Sequence, residues 1–152
     1  MSSTAKIVLT PNPKGHFIEV QLASGQTPKP GQHITMKSDG NWEVFNGDAD
    51  GDTEERVVLI EDFLQGKTAA DAYADGARAQ AYIPLPGDVI NILFKNVAGT
   101  ADDVVVGDKM IIDDGTGKAI VTTGSPEQEW YKALEAITDP TADTLLKVRT
   151  LP

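Results

Sequence analysis

The feature that most constrains the fold of this chain is an alternation of apolar and polar residues with a period of two, repeated in short segments between turn signals. In residues 16–22, Ile18, Val20 and Leu22 would share one face of a strand. In residues 77–83, the alanines and the isoleucine would do the same. This pattern is typical of strands that bury one face, so it predicts sheets rather than helices.

Further short apolar segments, many of them rich in β-branched residues, are expected to add strands: residues 34–36, 42–45, 57–60, 89–94, 104–106, 109–112, 119–121, 130–136 and 145–149. Several connections carry Pro-Gly or Asp-Gly, in which glycine supplies the positive φ of a tight turn. About ten short strands at this spacing predict an all-β chain, folded as a small antiparallel β-barrel or sandwich with hairpins.

Two segments depart from the strand pattern. Residues 68–75 are expected to form one short helical turn, because Thr68 can cap a run of helix formers that Gly76 would end; an irregular Ala-rich loop is the alternative. Residues 56–64 also allow two interpretations, since their first half suits a buried strand and Glu61–Leu64 could start a helical turn.

Residues 30–45 and 106–121 follow the same order of features. Each segment has a glycine turn, a strand, an Asp-Gly turn and a second strand, which is the pattern of a hairpin. Two related hairpin units would let two half-sheets cover one another. The alternative is that common hairpin features recur by chance.

Composition excludes several classes of protein. A chain of 152 residues suits one domain. With 13 basic and 23 acidic residues the net charge is −10, which argues against binding to duplex nucleic acid. No apolar run approaches the ~20 residues that cross a bilayer, so no membrane partner is expected. Cysteine is absent, which excludes disulfides and Cys-ligated zinc.

The first 13 residues are interpreted as an N-terminal arm, and residues 14–152 as a single β-rich domain. Within the arm, Ile7, Val8 and Leu9 form a compact apolar run, and two prolines then prevent a regular central strand. This run is either the first strand of the domain or a tether that adds a strand to a neighbour's sheet edge. The second possibility makes the three residues interface candidates.

Residues 46–57 invite a calcium hypothesis. Asp48, Asp50 and Asp52 lie in a loop whose opening matches an EF-hand, with oxygen ligands at alternate positions followed by glycine. The match then fails, because Val57 stands where a bidentate carboxylate is needed. An exposed acidic turn without metal is therefore the favoured interpretation.

No catalytic or cofactor site is expected. The segment 113–118 resembles the end of a phosphate loop but lacks its first glycine and its Ser or Thr. The only histidines, His16 and His33, have no partner at metal-ligand spacing and are expected at the surface or at strand edges. With 23 acidic residues, almost any catalytic carboxylate pair could be proposed, so none is specific.

Three aromatic residues, Trp42, Phe45 and Trp130, lie in or beside predicted strands. Core packing is the ordinary role for aromatic side chains in that position. Tryptophan is also a favoured anchor at protein interfaces, so these residues are further interface candidates.

The assembled order resembles the decoration, or cement, proteins of tailed-phage capsids. The resemblance spans residues 21–152. It is carried by the Pro30-Gly31-Gln32 turn, the Asp39-Gly40 hairpin, the apolar segment 56–64, the strand entries at residues 86–89 and 106–108, the turn at residues 113–118 and the terminal strand at residues 145–151. The first 20 residues and the Ala-rich stretch at residues 69–81 depart from the family's pattern.

The resemblance implies a structural virion protein that binds the outer surface of an assembled phage capsid between capsomers and stabilises it. Its partners would be the major capsid protein and further copies of itself, as a trimer or a dimer. It would be made in the cytoplasm of a bacterial host, and it would be neither an enzyme nor a cofactor-binding protein. The alternatives are a β-rich carbohydrate- or calcium-binding module, such as a phage tail component, and a small hydrolase.

Overall fold

The computed structural model describes residues 6–10, 14–46, 56–95, 103–121, 129–138 and 142–152. These residues form an all-β structure with one 3-10 helix (Phe63–Gln65), which confirms the predicted fold class. The strands are β1 (His16–Gln21), β2 (Ile34–Met36), β3 (Trp42–Val44), β4 (Val58–Leu59), β5 (Arg78–Ile83), β6 (Val89–Phe94), β7 (Lys109–Ile112), β8 (Ala119–Val121), β9 (Tyr131–Ala133) and β10 (Thr144–Thr150).

The last five strands close into a barrel in the order β10-β6-β8-β7-β9. Four of its five strand pairs are antiparallel, as predicted. The fifth pair, β6 with β8, is parallel and is made at Phe94 and Ala119. We call strands β6–β10 the C-terminal barrel.

The first five strands form a second ring. Strands β1, β5 and β4 make one sheet, and β2 and β3 make another. Two isolated bridges join these sheets: His33 pairs with Val58 in antiparallel fashion, and Leu22 pairs with Trp42 in parallel fashion. We call strands β1–β5, closed by these bridges, the N-terminal ring.

The ring and the barrel have the same strand order. Going around the ring gives β1-β5-β4-β2-β3, and going around the barrel gives β6-β10-β9-β7-β8. The contact that closes each one is parallel, between Leu22 and Trp42 in the ring and between Phe94 and Ala119 in the barrel. The repeat seen in two hairpins therefore extends over five strands in each half.

The backbone hydrogen bonds repeat as well. The amide of Gly31 donates to the carbonyl of Leu59 over 2.8 Å in the ring. At the equivalent place in the barrel, the amide of Gly107 donates to the carbonyl of Ala133 over 2.9 Å. Both glycines have positive φ, 90° and 99°, which a residue with a side chain rarely adopts. The two halves thus share register and turn geometry, not strand order alone.

Two apolar clusters fill the molecule. The cluster inside the ring contains the buried residues Val20, Leu22, Ile34, Val57, Leu59, Tyr73, Ala79 and Ala81. The larger cluster fills the barrel and continues to the outer face of the ring through Phe45, Val58, Ile60 and Tyr82. The alternation predicted for residues 77–83 is confirmed, because the neighbours Ala81 and Tyr82 belong to different clusters. The outer face of the ring is therefore buried against the barrel half.

The segment at residues 6–10 runs along β6 of its own chain. Val8 pairs with Ile90, the amide of Leu9 donates to the carbonyl of Val89, and the amide of Asn91 donates to the carbonyl of Ile7. The apolar run at residues 7–9 thus adds to the barrel sheet, as the first of its two interpretations expected. The division into an arm (residues 1–13) and a domain (residues 14–152) stays a prediction.

The helical turn predicted at residues 68–75 is wrong in position. Thr68 and Asp71 close a single turn, in which the Asp71 amide donates to the Thr68 carbonyl over 3.0 Å. The chain cannot continue as a helix because Tyr73 is held elsewhere: its amide donates to Pro28 and its hydroxyl donates to the carbonyl of Ile60. The short helix lies instead at Phe63–Gln65, at the end of residues 56–64, whose second half was the alternative place for a helical turn.

Candidate interaction surfaces

The six interface candidates from the sequence occupy different depths. Ile7, Phe45 and Trp130 are buried, and Val8, Leu9 and Trp42 are half-buried. The Trp130 indole is only 5% exposed and packs edge-on against Phe45, with ring centroids 5.3 Å apart. Because this indole is covered, it is not free to stack on a sugar ring.

The calcium candidates Asp48, Asp50 and Asp52 lie outside the described residues. Within the described ranges, no group of three or more His, Asp or Glu side chains is arranged to hold a metal ion. No helix in the described part of the chain is long and apolar enough to span a membrane.

His33 is fully buried where the ring meets the barrel, which corrects the prediction of a surface or edge position. Its Nε2 lies 2.6 Å from the hydroxyl of Tyr131. The pKa of His33 is lowered to about 3, mainly by burial and to a smaller extent by the nearby Arg56 charge, against the opposing effect of the Gly117 carbonyl. Burial also raises the pKa of Tyr131, so both side chains are neutral at pH 7.

Arg56 ties the ring to the end of the last strand. Its guanidinium lies 5.7 Å from the centre of the Trp130 ring and donates to the Trp130 carbonyl over 3.3 Å. It also donates to the carbonyl oxygens of Leu151 and Pro152. These contacts hold β4 against β9 and β10, so the role of Arg56 in the described structure is to join the two halves.

Asp88 makes the second polar joint between the halves. Its buried carboxylate accepts hydrogen bonds from the Tyr82 hydroxyl over 2.6 Å and from the amides of Lys14, Gly15 and Leu85 over 3.0–3.1 Å. Burial would raise the pKa of Asp88, but the four donors outweigh it and hold the pKa below its usual range. Since Asp88 and His33 are both fully buried, a substrate cannot reach them, and their chemistry is structural.

An open apolar groove of about 200 Å³ lies where residues 6–10 meet the ring; its lining residues are Val8, Thr10, Phe17, Ile60, Glu61 and Phe63. Phe17 is 56% exposed and Phe63 is 59% exposed, which is high for phenylalanine. The sequence carried one signal for this groove, since Phe17 stands among polar residues on the outward face of β1.

A cluster of cations covers one outer face of the C-terminal barrel. Lys109 on β7 pairs directly with Lys132 on β9, and Lys132 pairs directly with Arg149 on β10. Lys147 lies two residues before Arg149 on the same face, and all four side chains are exposed. We call these four residues the basic face. The order β7-β9-β10 is needed to see it, so sequence reasoning missed it.

Only part of the basic face is neutralised. Lys109 forms an ion pair with Glu129 over 2.7 Å, and the backbone amide of Lys147 donates to the Glu135 carboxylate. Among the described residues, no carboxylate lies within ion-pairing distance of the other three cations. Over these described residues, four cations therefore stand against two carboxylates, on a chain of net charge −10.

No protein-family model matches the chain, and no curated protein sequence matches it. One solved structure that matches is the N base of the head fiber gp8.5 of bacteriophage phi29. The TM-score is 0.51 and the sequence identity is 12%, and the alignment covers 89% of this chain and 94% of that chain. The likeness shows that the two share a fold.

Proposed function

We propose that this chain is a structural protein of a phage virion, which binds the outer surface of the assembled capsid between capsomers and stabilises it. The observation that carries the proposal is the shared fold with a phage head fiber base over nearly the whole length of both chains. The resemblance of the turn-and-strand order to decoration proteins points to the same class of role.

The proposed role is structural and involves no catalysis. Four buried or half-buried polar side chains of the described structure join its two halves: His33, Arg56, Tyr131 and Asp88. The groove at Phe17 and the basic face, by contrast, are open and suited to contact with another protein. The proposed partners are the major capsid protein and two further copies of this chain, located on the outside of the virion.

Weak contacts are sufficient for such a role. On a symmetric shell, an oligomer engages several equivalent sites at once, and each further contact is effectively intramolecular. A trimer suits positions of three-fold symmetry, and a dimer would suit two-fold positions.

The test mixes purified protein with undecorated capsids assembled from the major capsid protein of the same genome. We expect the protein to cosediment with capsids at micromolar concentration, and the thermal disruption of decorated capsids to shift to higher temperature. An albumin control should stay in the supernatant. Absence of cosedimentation across several salt concentrations would refute the proposal.

A further inference from the structure

We infer that the basic face is the surface through which the protein docks on its partner, and that the partner surface it meets is rich in carboxylates. This inference rests on the proposed function, in which the partner is the capsid shell. It deepens that function by naming one face of the molecule, Lys109, Lys132, Lys147 and Arg149, and the chemistry opposite it.

The arrangement of the cations is costly in the free protein. Adjacent strands lie about 4.8 Å apart, so Lys109, Lys132 and Arg149 stand in a row across three strands. Like charges at directly opposed positions of a sheet destabilise it. Among the described residues, the ion pair from Lys109 to Glu129 offsets part of this repulsion, and it does not reach Lys132 or Arg149. Folding alone does not require such a row, and an acidic partner surface would neutralise it.

In the N-terminal ring, the face equivalent to the basic face is buried in the contact between the two halves. Strands β2, β4 and β5 of the ring correspond to β7, β9 and β10 of the barrel. His33 pairs with Val58 in the ring, and Lys109 pairs with Lys132 in the barrel, so Lys109 stands at the position of His33. Arg149 likewise stands at the position of Tyr82. In the ring these positions are fully buried against the barrel half. In the barrel they are exposed, and they carry charge instead of apolar surface.

The charge distribution favours an acidic protein over other occupants. Without the basic face, the chain would carry nine basic and 23 acidic residues, so a long phosphate polymer would be repelled beyond this face. A second copy bound through this face by two-fold symmetry would set cations against cations, whereas a three-fold contact would join this face to a different one, which the self-association outcome of the test distinguishes. An acidic protein surface of limited extent has neither problem.

The rim of the basic face is apolar. Val105 and Val106 are 57% and 65% exposed in the turn that leads into β7. The Lys132 side chain lies over Gly107 at the end of this turn, within 3.9 Å of where a Cβ would stand. An apolar rim beside the cations suits contact with a protein, because protein interfaces bury apolar area and phosphate contacts are polar.

The test measures binding to undecorated capsids at 50 and 200 mM NaCl. The double variant Lys132→Glu/Arg149→Glu should bind about tenfold more weakly or worse, whereas the wild-type affinity should fall as salt rises. The matched control is Lys29→Glu/Lys67→Glu, which makes the same change in net charge at two exposed lysines of the other half. This control should bind within about twofold of the wild type.

A second measurement separates docking from folding. The single variant Lys132→Glu places a carboxylate between Lys109 and Arg149, so we expect its Tm to rise by about 1–2 °C while its capsid binding weakens. Polyglutamate should compete with capsids for the wild-type protein, and duplex DNA of equal charge should compete less.

Four results would overturn the inference. The double variant could bind capsids as tightly as the wild type, which would leave the proposed function intact but assign docking to another face. Duplex DNA could compete better than polyglutamate. The double variant could lose a self-associated state in capsid-free solution, which would assign the face to a second copy. Finally, failure of the wild-type protein to bind capsids would refute the proposed function itself.

Discussion

The N-terminal ring and the C-terminal barrel use one strand order and one register, but they differ in how they close and in what covers them. The closing parallel contact is a single residue pair in both halves, but the ring has a second single bridge, at His33, where the barrel pairs β7 with β9 over two residues. The outer face of the ring at Val58 and Tyr82 is buried, and the equivalent face of the barrel at Lys132 and Arg149 is exposed.

This difference shows that a repeated topology does not determine which face is buried. Both halves alternate inward and outward residues, because every strand does. Whether an outward residue is buried depends on the neighbouring half. The outward residues Val58 and Tyr82 of the ring are covered by the barrel half. At the corresponding positions the barrel has Lys132 and Arg149, which are not covered. The asymmetry leaves one face of a two-part molecule available to a partner.

The largest expected effect comes from exchanging the equivalent residues. Val58→Lys would bury an unpaired charge between the halves and should lower the free energy of unfolding by about 4 kcal/mol or more. Lys132→Val should change it by less than about 0.5 kcal/mol, because the site is exposed. Urea denaturation of both variants checks this. Equal effects would show that the two faces are not different environments.

A smaller difference is expected for the equivalent glycines. Gly31 and Gly107 both have positive φ, so alanine strains either one by about 1 kcal/mol. At Gly31 a Cβ would also lie 2.9 Å from the Leu145 side chain and 3.0 Å from the Leu93 amide. At Gly107 the nearest atom of the described residues belongs to the Lys132 side chain, 3.9 Å away. Gly31→Ala should therefore cost about 3 kcal/mol and Gly107→Ala about 1 kcal/mol. Thermal unfolding measures both, and similar costs would contradict the contact seen at Gly31.

The stability of the protein should depend on pH through His33. The pKa of His33 is about 3 in the folded protein and about 6.5 when unfolded, so between these values the unfolded state binds a proton that the folded state excludes. The contribution of His33 to stability is therefore lost as pH falls from 6.5 towards 3, by up to about 1.4 kcal/mol per unit.

Denaturation curves at pH 7, 6 and 5 measure this slope. His33→Gln should remove the contribution of His33 to the slope of the free energy of unfolding against pH. It should also lower the stability at pH 7, because Tyr131 loses its hydrogen-bond partner. In NMR spectra the His33 ring signals should stay constant between pH 7 and pH 4.5. Titration of those signals near pH 6 would contradict the buried, neutral state.

The strands were largely predictable because alternation and turn residues act locally. The segments at residues 16–22 and 77–83 show it, with their inward and outward faces as expected. The structure of residues 68–75 was not predictable in this way, because the hydrogen bonds of Tyr73 to the carbonyls of Pro28 and Ile60 override a local preference for helix. His33 was misplaced for a similar reason, since only the contact with Tyr131 in the other half explains a buried imidazole.

The sequence by itself determined that this chain folds into short paired strands, with hairpins that recur at residues 30–45 and 106–121. Only the tertiary structure decided that the recurrence covers two complete five-strand units and that the outer face of one is buried by the other. The physical reason is range. Backbone alternation and turn conformation depend on neighbours in sequence, whereas the burial of Val58 and the row of cations through Lys132 depend on strands that are distant in the chain.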